Sequence, residues 1–532
     1  MGKSLSFFAR HDANMSVYNE DNIESYVEFE KFTKKRYFSF SLNKGDFRRE
    51  ISDIVLPHLN PHEVSRLISN WLTNDQEEIL RETFPNLREE KRVSHHIAHA
   101  HSAYMFTEPI ENDLIISIDG GGDLKDYFKV FNYKKSKIEE ILEVKINLGK
   151  PYRILGLLSP ELYIDRKSGY KMDLPLSGKK MSLLSLGKIT EEFKEPLREF
   201  YHKFMEYYNE EKDSVEINFR KLLDRIGFFN ENFLDRETAR DILATSQYIF
   251  EETIKENVYP LIEKGDYKRI VVVGGCGLNV TMNSKMYSDF GIPVFIPPCP
   301  NDCGISLGAA KIDNPNLKIF KNPFTDIKRL NESYLQKFRE NFKRKKLSLE
   351  EIADLLSRGK IIGTMIGGLE IGPRALGNRS YLANPLINGM KNKINSKKIK
   401  DREYWRPVAP IVTFDSLNEF FDTDLPSPYM TFAPKVKEKY MQELKEITHF
   451  DGSSRIQTVS KEDGWIYHLL KLFGGITGKE ILMNTSFNKK GNPLVQDYKE
   501  AYDLLKESDL DILIINECNP SREERMESFF KK

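Results

Sequence analysis

The sequence predicts a mixed α/β (α+β) fold with more than one domain. Short apolar runs that end in turn residues, such as residues 114–118 (LIISI) and 270–273 (IVVV), are typical of buried strands. Segments with helical spacing, including residues 188–265, alternate with these runs along the chain. Strands mixed with helices throughout indicate this fold class.

The length and one irregular stretch predict two domains. At roughly 100–200 residues per domain, a chain of 532 residues has room for two to four. Residues 313–326 contain two prolines and three asparagines and show little periodicity, as expected of a boundary. We therefore predict domains at residues 1–325 and 326–532, and we expect the charged tail 521–532 (SREERMESFFKK) to fray.

Within each predicted domain, the elements follow from local pattern. Residues 1–18 alternate and then turn, which predicts a strand, a polar turn and a second strand. A proline-rich loop leads into NDCGISLGAA, where a helix is expected to begin. The second domain opens with a predicted helix, LEEIADLLSRG, and a predicted strand, KIIGTMIG.

The composition excludes several classes of protein. Basic and acidic residues both number 80, so the net charge is zero and no global field for nucleic acid exists. Four cysteines are too few for a disulfide framework. The N-terminal sequence lacks the apolar core of a signal peptide, and no run of about 18 apolar residues predicts a membrane span. A cytoplasmic protein is the expectation.

A histidine-rich segment, VSHHIAHAHS, predicts a metal site. His95 and His99 are four positions apart, which places both imidazoles on one face of a helix. Two ligands do not make a site, so carboxylates must come from elsewhere, and Asp119 at a strand end and Asp302 in a loop are the candidates. Such a set suits iron, manganese or zinc better than magnesium. The alternative interpretation is that the histidines only cap and pack.

Three glycine-rich turns follow predicted buried strands: residues 119–123 (DGGGD), 274–279 (GGCGLN) and the loop DCGISLG. Glycine lets backbone N–H groups approach phosphate oxygens closely. Neither a P-loop nor a dinucleotide-binding fingerprint is present, and any tight turn can use glycine. Together the three turns indicate a nucleotide between subdomains. The candidate contacts are Asp12, Gly120, Gly121, Gly274, Gly275 and Asn279.

A basic segment predicts a pocket for polyanions. Nine Lys or Arg residues and two acids lie between positions 374 and 406. Arg374 and Arg379 stand among glycines and small residues, unlike the solvated basic face that most charge runs form. Guanidinium groups suit phosphate and carboxylate, so we predict a site for polyanions such as a triphosphate rather than nucleic acid. The candidates are Arg374, Arg379, Lys400, Arg402, Arg406 and, further along the chain, Arg455.

A polar strand end completes the candidates. The run ILMNTSFN places Asn484, Ser486 and Asn488 where a predicted strand ends, and α/β proteins often bind ligands there. Alone, this pattern is also compatible with a capped turn.

Together these stretches resemble the O-carbamoyltransferase family, which includes the nodulation, cephamycin and tobramycin carbamoyltransferases. The matching motifs are HHIAHAHSA, GGCGLN, PPCPNDCGISLGAA, EIGPRALGNRS, KDREYWRPVAP, DGSSRIQTV and NTSFN, in order from His11 to about residue 500. The chain departs from the family at GKKMSLLSLG, which contains Lys179, and at Asn492, where the family often has Glu.

The resemblance implies the domain folds and the reaction. The N-terminal domain would be similar to the threonylcarbamoyl-transferase branch of the actin-like ATPases, and the C-terminal domain to threonylcarbamoyl-adenylate synthase. The C-terminal domain would form carbamoyl-adenylate from carbamoyl phosphate and ATP, with Mg²⁺ accompanying the ATP. The N-terminal domain would then transfer the carbamoyl group to a hydroxyl of a small molecule, sugar or nucleoside.

The resemblance also implies residue roles. The metal, Fe²⁺ with Mn²⁺ or Zn²⁺ as alternatives, would be held by His95, His99, Asp119 and Asp302. His11 would be the base for the acceptor, and Arg374, Lys400, Arg402, Arg406 and Arg455 would line the adenylate-forming site. Asn484 and Asn488 would position its ligand.

Two other functions stay open at this stage. One is a tRNA-modifying enzyme of the threonylcarbamoyl-adenosine type, and the other is a non-catalytic ATP-binding module. We expect the acceptor pocket to draw on residues 140–240, no membrane partner, no nucleic acid apart from a modified nucleoside acceptor, and a homodimer, since twofold assemblies are commonest.

Overall fold

The computed structural model describes residues 2–123, 126–162, 174–207, 234–325, 333–518, 520–521 and 523–531. Parts of the predicted acceptor region 140–240 and of the predicted helical range 188–265 lie outside these residues. The strands are β1 Lys3–Phe8, β2 Asn14–Tyr18, β3 Ile23–Glu28, β4 Val64–Asn70, β5 Glu89–Arg92, β6 Asp113–Ile118, β7 Phe128–Lys134, β8 Lys137–Val144, β9 Arg269–Val273, β10 Val294–Phe295, β11 Phe324–Thr325, β12 Lys343–Leu347, β13 Ile362–Ile366, β14 Leu369–Glu370, β15 Ser380–Ala383, β16 Ala409–Thr413, β17 Gln457–Val459, β18 Ile481–Ser486, β19 Ile512–Asn516 and β20 Met526–Phe530.

Helices alternate with these strands in both halves of the chain. The α-helices are α1 Phe29–Thr33, α2 Lys44–Glu50, α3 Asn74–Thr83, α4 His95–Ala103, α5 Gly149–Leu155, α6 Leu176–Leu183, α7 Glu191–Tyr207, α8 Arg236–Lys264, α9 Val280–Phe290, α10 Ile305–Asp313, α11 Ser333–Asn341, α12 Leu349–Ser357, α13 Met390–Asn395, α14 Leu417–Phe420, α15 Trp465–Thr477 and α16 Tyr498–Glu507. The mixed α/β class is therefore confirmed. None of the described helices has the length and apolar character needed to cross a bilayer.

Two five-stranded sheets form the N-terminal half, with strand orders β3-β2-β1-β4-β5 and β10-β9-β6-β7-β8. In the second sheet β6 and β9 run parallel, so their carboxyl ends meet at one edge. Asp119 follows β6, and Gly274 and Gly275 follow β9. Two predicted ligand-binding turns thus lie side by side because of strand pairing.

An eight-stranded mixed sheet forms the C-terminal half, in the order β12-β20-β19-β13-β15-β18-β16-β17. The expectation that the tail frays is wrong. Strand β20 pairs with both β12 and β19, and it buries Met526 and Phe529 in the core. The many charged residues of the tail led to the wrong prediction. In the structure Glu527 pairs with Arg344 of the neighbouring strand, while the apolar residues face inward.

The two halves share a packed interface. Trp405, Leu425 and Phe432 of the C-terminal half belong to the same buried apolar cluster as residues of the second N-terminal sheet. Asn283 donates to the Thr431 carbonyl at 2.9 Å, and Ser284 accepts from the Ala433 N–H at 2.7 Å. The boundary at residues 325 and 326 stays a prediction, because residues 326–332 lie outside the described part of the chain.

Candidate functional site

Four buried side chains converge in the N-terminal half: His95, His99, Asp119 and Asp302. One ligand atom from each lies within 4.8 Å of all the others. The His99 Nε2 is 3.3 Å from Asp302 Oδ1 and 3.5 Å from Asp119 Oδ2, and the His95 Nε2 is 3.5 Å from Asp302 Oδ1. The four residues come from a helix, a strand end and a loop, so the fold assembles the predicted set.

Local structure explains how the helix presents its histidines. The Asp123 carboxylate accepts the His95 backbone N–H at 2.6 Å and so satisfies a donor at the start of α4. Helix α4 packs against α10 so closely that a Cβ on Gly308 would collide with the Ala98 carbonyl. Because α10 directly follows the Asp302 loop, this contact brings Asp302 to the histidine face.

Neighbouring groups orient the cluster. Asn70 Oδ1 lies 3.3 Å from His95 Nδ1, and the Trp71 ring stacks on the His95 ring at 4.5 Å between centroids. The Gly275 N–H donates to Asp119 Oδ2 at 2.5 Å. Contacts of this kind fix ring orientation and ligand basicity at metal sites. Gly275 was predicted as a nucleotide contact; in the structure its N–H group holds the Asp119 carboxylate in place.

The chemistry of the donor set fits a transition metal. Burial favours protonation of Asp119 and Asp302, and the charge of Asp302 adds to this effect at Asp119, but neighbouring imidazoles outweigh both and hold the pKa of each carboxyl below its usual range. Two carboxylates with two imidazole nitrogens suit iron, manganese or zinc. Within the part of the chain that the structure describes, His99 Nδ1 has no hydrogen-bond partner.

His11 borders this cluster on its more open side. Its Nε2 lies 3.5 Å from Asp302 Oδ2, its Nδ1 lies 3.3 Å from Asp12 Oδ2, and 34% of its side chain is exposed. Burial opposes its protonation, but the charges of Asp302 and Asp12 prevail and raise the pKa of His11 to about 10. Asp12 is held in turn by the Asn301 amide at 3.3 Å. His11 is therefore within reach of both the cluster and an incoming ligand.

A positively charged pocket forms in the C-terminal half from Arg374, Arg402, Arg406 and Arg455. Burial and the charge of Arg406 lower the pKa of Arg374 to about 10 and that of Arg402 to about 9. Burial and the same neighbours also lower the pKa of Arg455. Among the described residues, the buried Nε groups of Arg374 and Arg455 meet no acceptor. Such unsatisfied, mutually repelling cations are suited to an anion.

The strand end β18 forms one wall of this pocket. Arg402 donates to Thr485 Oγ1 at 2.9 Å and to Ser486 Oγ at 3.2 Å. The Lys400 ammonium group donates to the Ser486 and Asn488 carbonyls at 2.6 and 3.0 Å, and also to the Asn488 side chain. Burial and the nearby arginines hold the pKa of Lys400 well below its usual value.

Several other predicted contacts have internal partners. Arg379 donates to the carbonyls of Ile366 and Asn378, and Asn484 donates to Gln457 Oε1 at 2.7 Å. Asn279 caps α9 and pairs with the Gln247 amide. These three residues maintain local structure, and their direct contact with a ligand stays a prediction.

The glycines of the two turns also have structural roles. Gly274 has φ +86°, and a Cβ there would collide with the Ile118 carbonyl, so the close pairing of the two turns requires glycine. The Gly121 N–H donates to Asp119 Oδ1 at 3.2 Å, and the Gly120 carbonyl accepts from Asn147. The turns lie beside the carboxylate Asp119, as expected of a site that combines a cation and a phosphate.

The sequence analysis missed residues of the N-terminal half that approach the arginine pocket. The Arg36 charge contributes to the lowered pKa values of Lys400 and Arg402. Arg36 donates to the Tyr37 hydroxyl at 3.0 Å, and the Tyr37 N–H donates to Glu30 at 2.9 Å. The basic run KKRY was a signal, but it is typical of a solvated surface.

Lys179, which had no assigned role, pairs with Glu403 at 3.0 Å. Glu403 is adjacent in sequence to Arg402. The GKKM segment of the N-terminal half therefore contacts the basic segment of the C-terminal half directly.

Comparison with known proteins gives consistent matches. A family model described as "Carbamoyltransferase N-terminus" matches residues 12–311, and one described as "Carbamoyltransferase C-terminus" matches residues 353–522. The uncharacterized protein MJ1051 of Methanocaldococcus jannaschii is 27% identical over 528 residues, which cover 95% of this chain and 97% of that protein. Nodulation protein NolNO of Sinorhizobium fredii is 31% identical, covering 80% of this chain and 62% of its own length.

Two further similarities extend the comparison. Nodulation protein NolO of Bradyrhizobium diazoefficiens is 29% identical over 450 residues, which cover 80% of this chain and 78% of that protein. Among solved structures, full-length HypF in its phosphate- and nucleotide-bound form aligns with 59% of this chain and 46% of its own, with a TM-score of 0.35 and 16% identity.

Proposed function

Since the chain belongs to the carbamoyltransferase family, we propose that it is an ATP-dependent O-carbamoyltransferase with two half-reactions. The C-terminal half would form carbamoyl-adenylate, and the N-terminal half would transfer the carbamoyl group to a hydroxyl. The observation that carries the proposal is one chain with both a half-buried pocket of mutually repelling arginines and a separate cluster of two histidines and two aspartates. The pocket suits phosphate groups, and the cluster suits a Lewis-acidic cation.

In the first half-reaction, water would cleave carbamoyl phosphate to carbamate and phosphate. A carbamate oxygen would then attack the α-phosphorus of ATP, bound with Mg²⁺, and pyrophosphate would leave. Arg374, Arg402, Arg406 and Arg455 would stabilise the phosphate charges, because donors already oriented in a buried pocket need no reorganisation. Lys400 would hold the β18 wall in place through its contacts with Ser486 and Asn488.

In the second half-reaction, a divalent cation would be held by His95, His99, Asp119 and Asp302. We propose Fe²⁺, with Mn²⁺ and Zn²⁺ as alternatives, and its contribution would be Lewis acidity toward an oxygen of the adenylate. His11 would accept the proton of the acceptor hydroxyl while that oxygen attacks the carbamoyl carbon and AMP leaves. Positive charge beside Asp302 would offset the carboxylate charge that raises the pKa of His11.

We also propose that the adenylate passes from one half to the other without leaving the protein, because a mixed anhydride has to be kept from water. The support is that Arg36 and Tyr37 of the N-terminal half act electrostatically on the arginine pocket. An adenylate-consuming enzyme added in solution should therefore intercept little of the intermediate. Interception of most of it would contradict an internal passage.

The decisive experiment needs no acceptor. Purified, metal-replete protein is incubated with ATP and carbamoyl phosphate, and pyrophosphate is measured. Release that depends on carbamoyl phosphate is the expected result and would justify a screen of hydroxyl acceptors. Release that requires bicarbonate and threonine would instead favour a threonylcarbamoyl-adenosine type of enzyme, and ATP binding without turnover would favour a non-catalytic module.

A further inference from the structure

A buried ion pair between Glu28 and Lys31 of the N-terminal half lies at the interface between the two halves. Glu28 ends β3 and Lys31 lies in α1, and both side chains are at most 5% exposed. Their charged atoms are 2.8 Å apart. Neither residue belongs to a predicted motif, and no hydrogen bond or ion pair among the described residues joins either side chain to the arginine pocket or to the candidate metal ligands. Burying such a pair is costly unless further hydrogen bonds satisfy it.

Those further hydrogen bonds all go to the loop that carries Arg374. The Lys31 ammonium group donates to the Glu370 carbonyl at 2.5 Å and to the Gly372 carbonyl at 3.0 Å. Glu28 Oε1 accepts the Gly372 N–H at 2.7 Å. Three polar groups of the loop backbone, two to four positions before Arg374, are therefore held by side chains of the other half.

The same loop is organised internally by Glu370. Its Oε1 accepts the N–H groups of Leu376 and Arg379 at 3.0 and 2.9 Å, and the side chain is 1% exposed. Glu370 therefore closes residues 370–379 into a compact unit with Arg374 near its middle. Because Lys31 holds the Glu370 carbonyl, a shift at the ion pair would move the whole unit, including Arg374.

The loop that carries Asp302 also contacts Gly372 and strand β3. Gly372 has φ +89°, and a Cβ there would collide with the Pro298 carbonyl, three residues before Asn301 and four before Asp302. The Tyr26 hydroxyl, on β3, donates to the Cys303 carbonyl at 2.5 Å. Strand β3 thus contacts the loop of a metal-cluster aspartate at Tyr26 and the Arg374 loop at Glu28.

We propose that Glu28 and Lys31 are positioning residues that set the Arg374 loop, so that the N-terminal half controls anion binding in the C-terminal half. This inference rests on the proposed function for its consequence in catalysis, but its central claim concerns ATP binding alone. A displacement of about 1 Å in a positioning group can reduce a rate about 100-fold. The ion pair would therefore act on the pocket through backbone carbonyls and not through its own charge.

The test uses the full chain and the double substitution Glu28→Gln with Lys31→Met. Glutamine keeps an acceptor for the Gly372 N–H, and methionine fills the lysine volume without leaving a buried charge unpaired. The two hydrogen bonds that Lys31 donates to the loop carbonyls are lost. We expect the Kd for ATP, measured by calorimetry, to rise at least 10-fold, and kcat/KM for pyrophosphate release to fall about 100-fold. Bound metal should be unchanged.

Lys34→Ala is the matched control. Lys34 forms an ion pair across the interface, with Asp497 at 2.6 Å, but its side chain is 39% exposed, and in the described part of the chain no hydrogen bond or ion pair joins it to the Arg374 loop. If the contacts of Lys31 and Lys34 with the C-terminal half only hold the two halves together, the double variant and Lys34→Ala should weaken ATP binding to the same extent. Equal loss in Lys34→Ala, or an unchanged Kd in the double variant, overturns the inference.

Gly372→Ala moves the same loop while both charges stay in place. The added methyl group would meet the Pro298 carbonyl, so we again expect ATP binding at least 10-fold weaker. This variant decides the matter if the double variant does not fold, and normal ATP binding by Gly372→Ala contradicts the proposal. A wild-type protein that binds ATP but releases no pyrophosphate removes the proposed function and leaves this binding test intact.

Discussion

The candidate metal site is buried and the arginine pocket is half-buried; both are charged, but they balance charge in opposite ways. In the cluster of His95, His99, Asp119 and Asp302, acid and imidazole groups lie within 4.8 Å of one another and offset each other's charges. In the pocket of Arg374, Arg402, Arg406 and Arg455, cations repel one another, and each pKa is lowered. Burial without a counter-charge is costly, so such an arrangement persists where a ligand supplies the charge.

The comparison indicates separate ligands for the two regions. A set of carboxylates and neutral imidazoles binds a cation, whereas paired guanidinium forks bind phosphate groups. Substitutions in one region should therefore leave the ligand of the other in place. If metal binding and pyrophosphate release can be lost independently of each other, the protein has two sites and not one extended site.

The largest expected effect is that of His95→Ala. Loss of a ligand should weaken metal binding by more than about 100-fold, beyond the cost of losing a supporting contact. Carbamoyl transfer should be lost, while pyrophosphate release continues. Metal content by mass spectrometry and the pyrophosphate assay test this, with His62→Ala, an exposed histidine, as the control. Equal loss of both half-reactions would contradict the assignment of the two regions.

The converse variant is Arg374→Ala. Removing one oriented donor should reduce carbamoyl-phosphate-dependent pyrophosphate release about 100- to 1000-fold, and bound metal should be unchanged. Arg358→Ala is the matched control, since the Arg358 side chain is 71% exposed and pairs with Asp354, four positions earlier. A normal pyrophosphate yield from Arg374→Ala would remove this residue from the pocket.

A smaller effect is expected for Asn70→Ala. Without the Asn70 oxygen near Nδ1, the His95 ring loses a contact that orients it, so metal affinity should fall about 10-fold. Metal titration of the dialysed protein measures this change. Asn86→Ala, at an exposed position, should behave as wild type. An unchanged affinity in Asn70→Ala would show that the helix and the stacked Trp71 ring suffice to orient His95.

The smallest effect concerns pH and is reported by His449. Burial, together with the charges of Arg455, Lys391 and Lys435, lowers its pKa to about 4, although Asp451 acts in the opposite direction. The unfolded chain binds the proton near pH 6.5, so the free energy of unfolding should fall as the pH drops from 6.5 towards 4. Wild-type stability above pH 6.5 should lack this contribution to the slope.

Arg455→Gln sharpens the same measurement. With one repelling charge removed, the pKa of His449 should rise, and the acid-induced loss of stability should be correspondingly smaller. Nuclear magnetic resonance titration of the histidine signals gives the pKa directly. The exposed substitution Arg358→Ala should not move it. A shift equal to that of Arg358→Ala would place Arg455 too far away to act on this ring.

Short sequence patterns predicted most residues of the candidate metal site and of the arginine pocket. They did not predict the contacts that connect these two regions. The i, i+4 spacing predicted that His95 and His99 share a face, and strand ends and loops indicated Asp119 and Asp302. By contrast, Lys31 contacts residues about 340 positions away, and nothing in its local sequence separates it from surface lysines. The tail was mispredicted for a related reason, because its charges masked the buried Met526 and Phe529.

The sequence by itself determined the mixed α/β class and the cationic character of residues 374–406, and it predicted the two domains and the metal-type donor set, because each depends on residue type and short spacing. Only the tertiary structure decided which donors converge, that Arg379 and Asn484 have internal hydrogen-bond partners, and that Glu28 and Lys31 hold the Arg374 loop. The physical reason is that burial and hydrogen-bond partners depend on contacts between distant segments, and the packing of strands and helices creates those contacts.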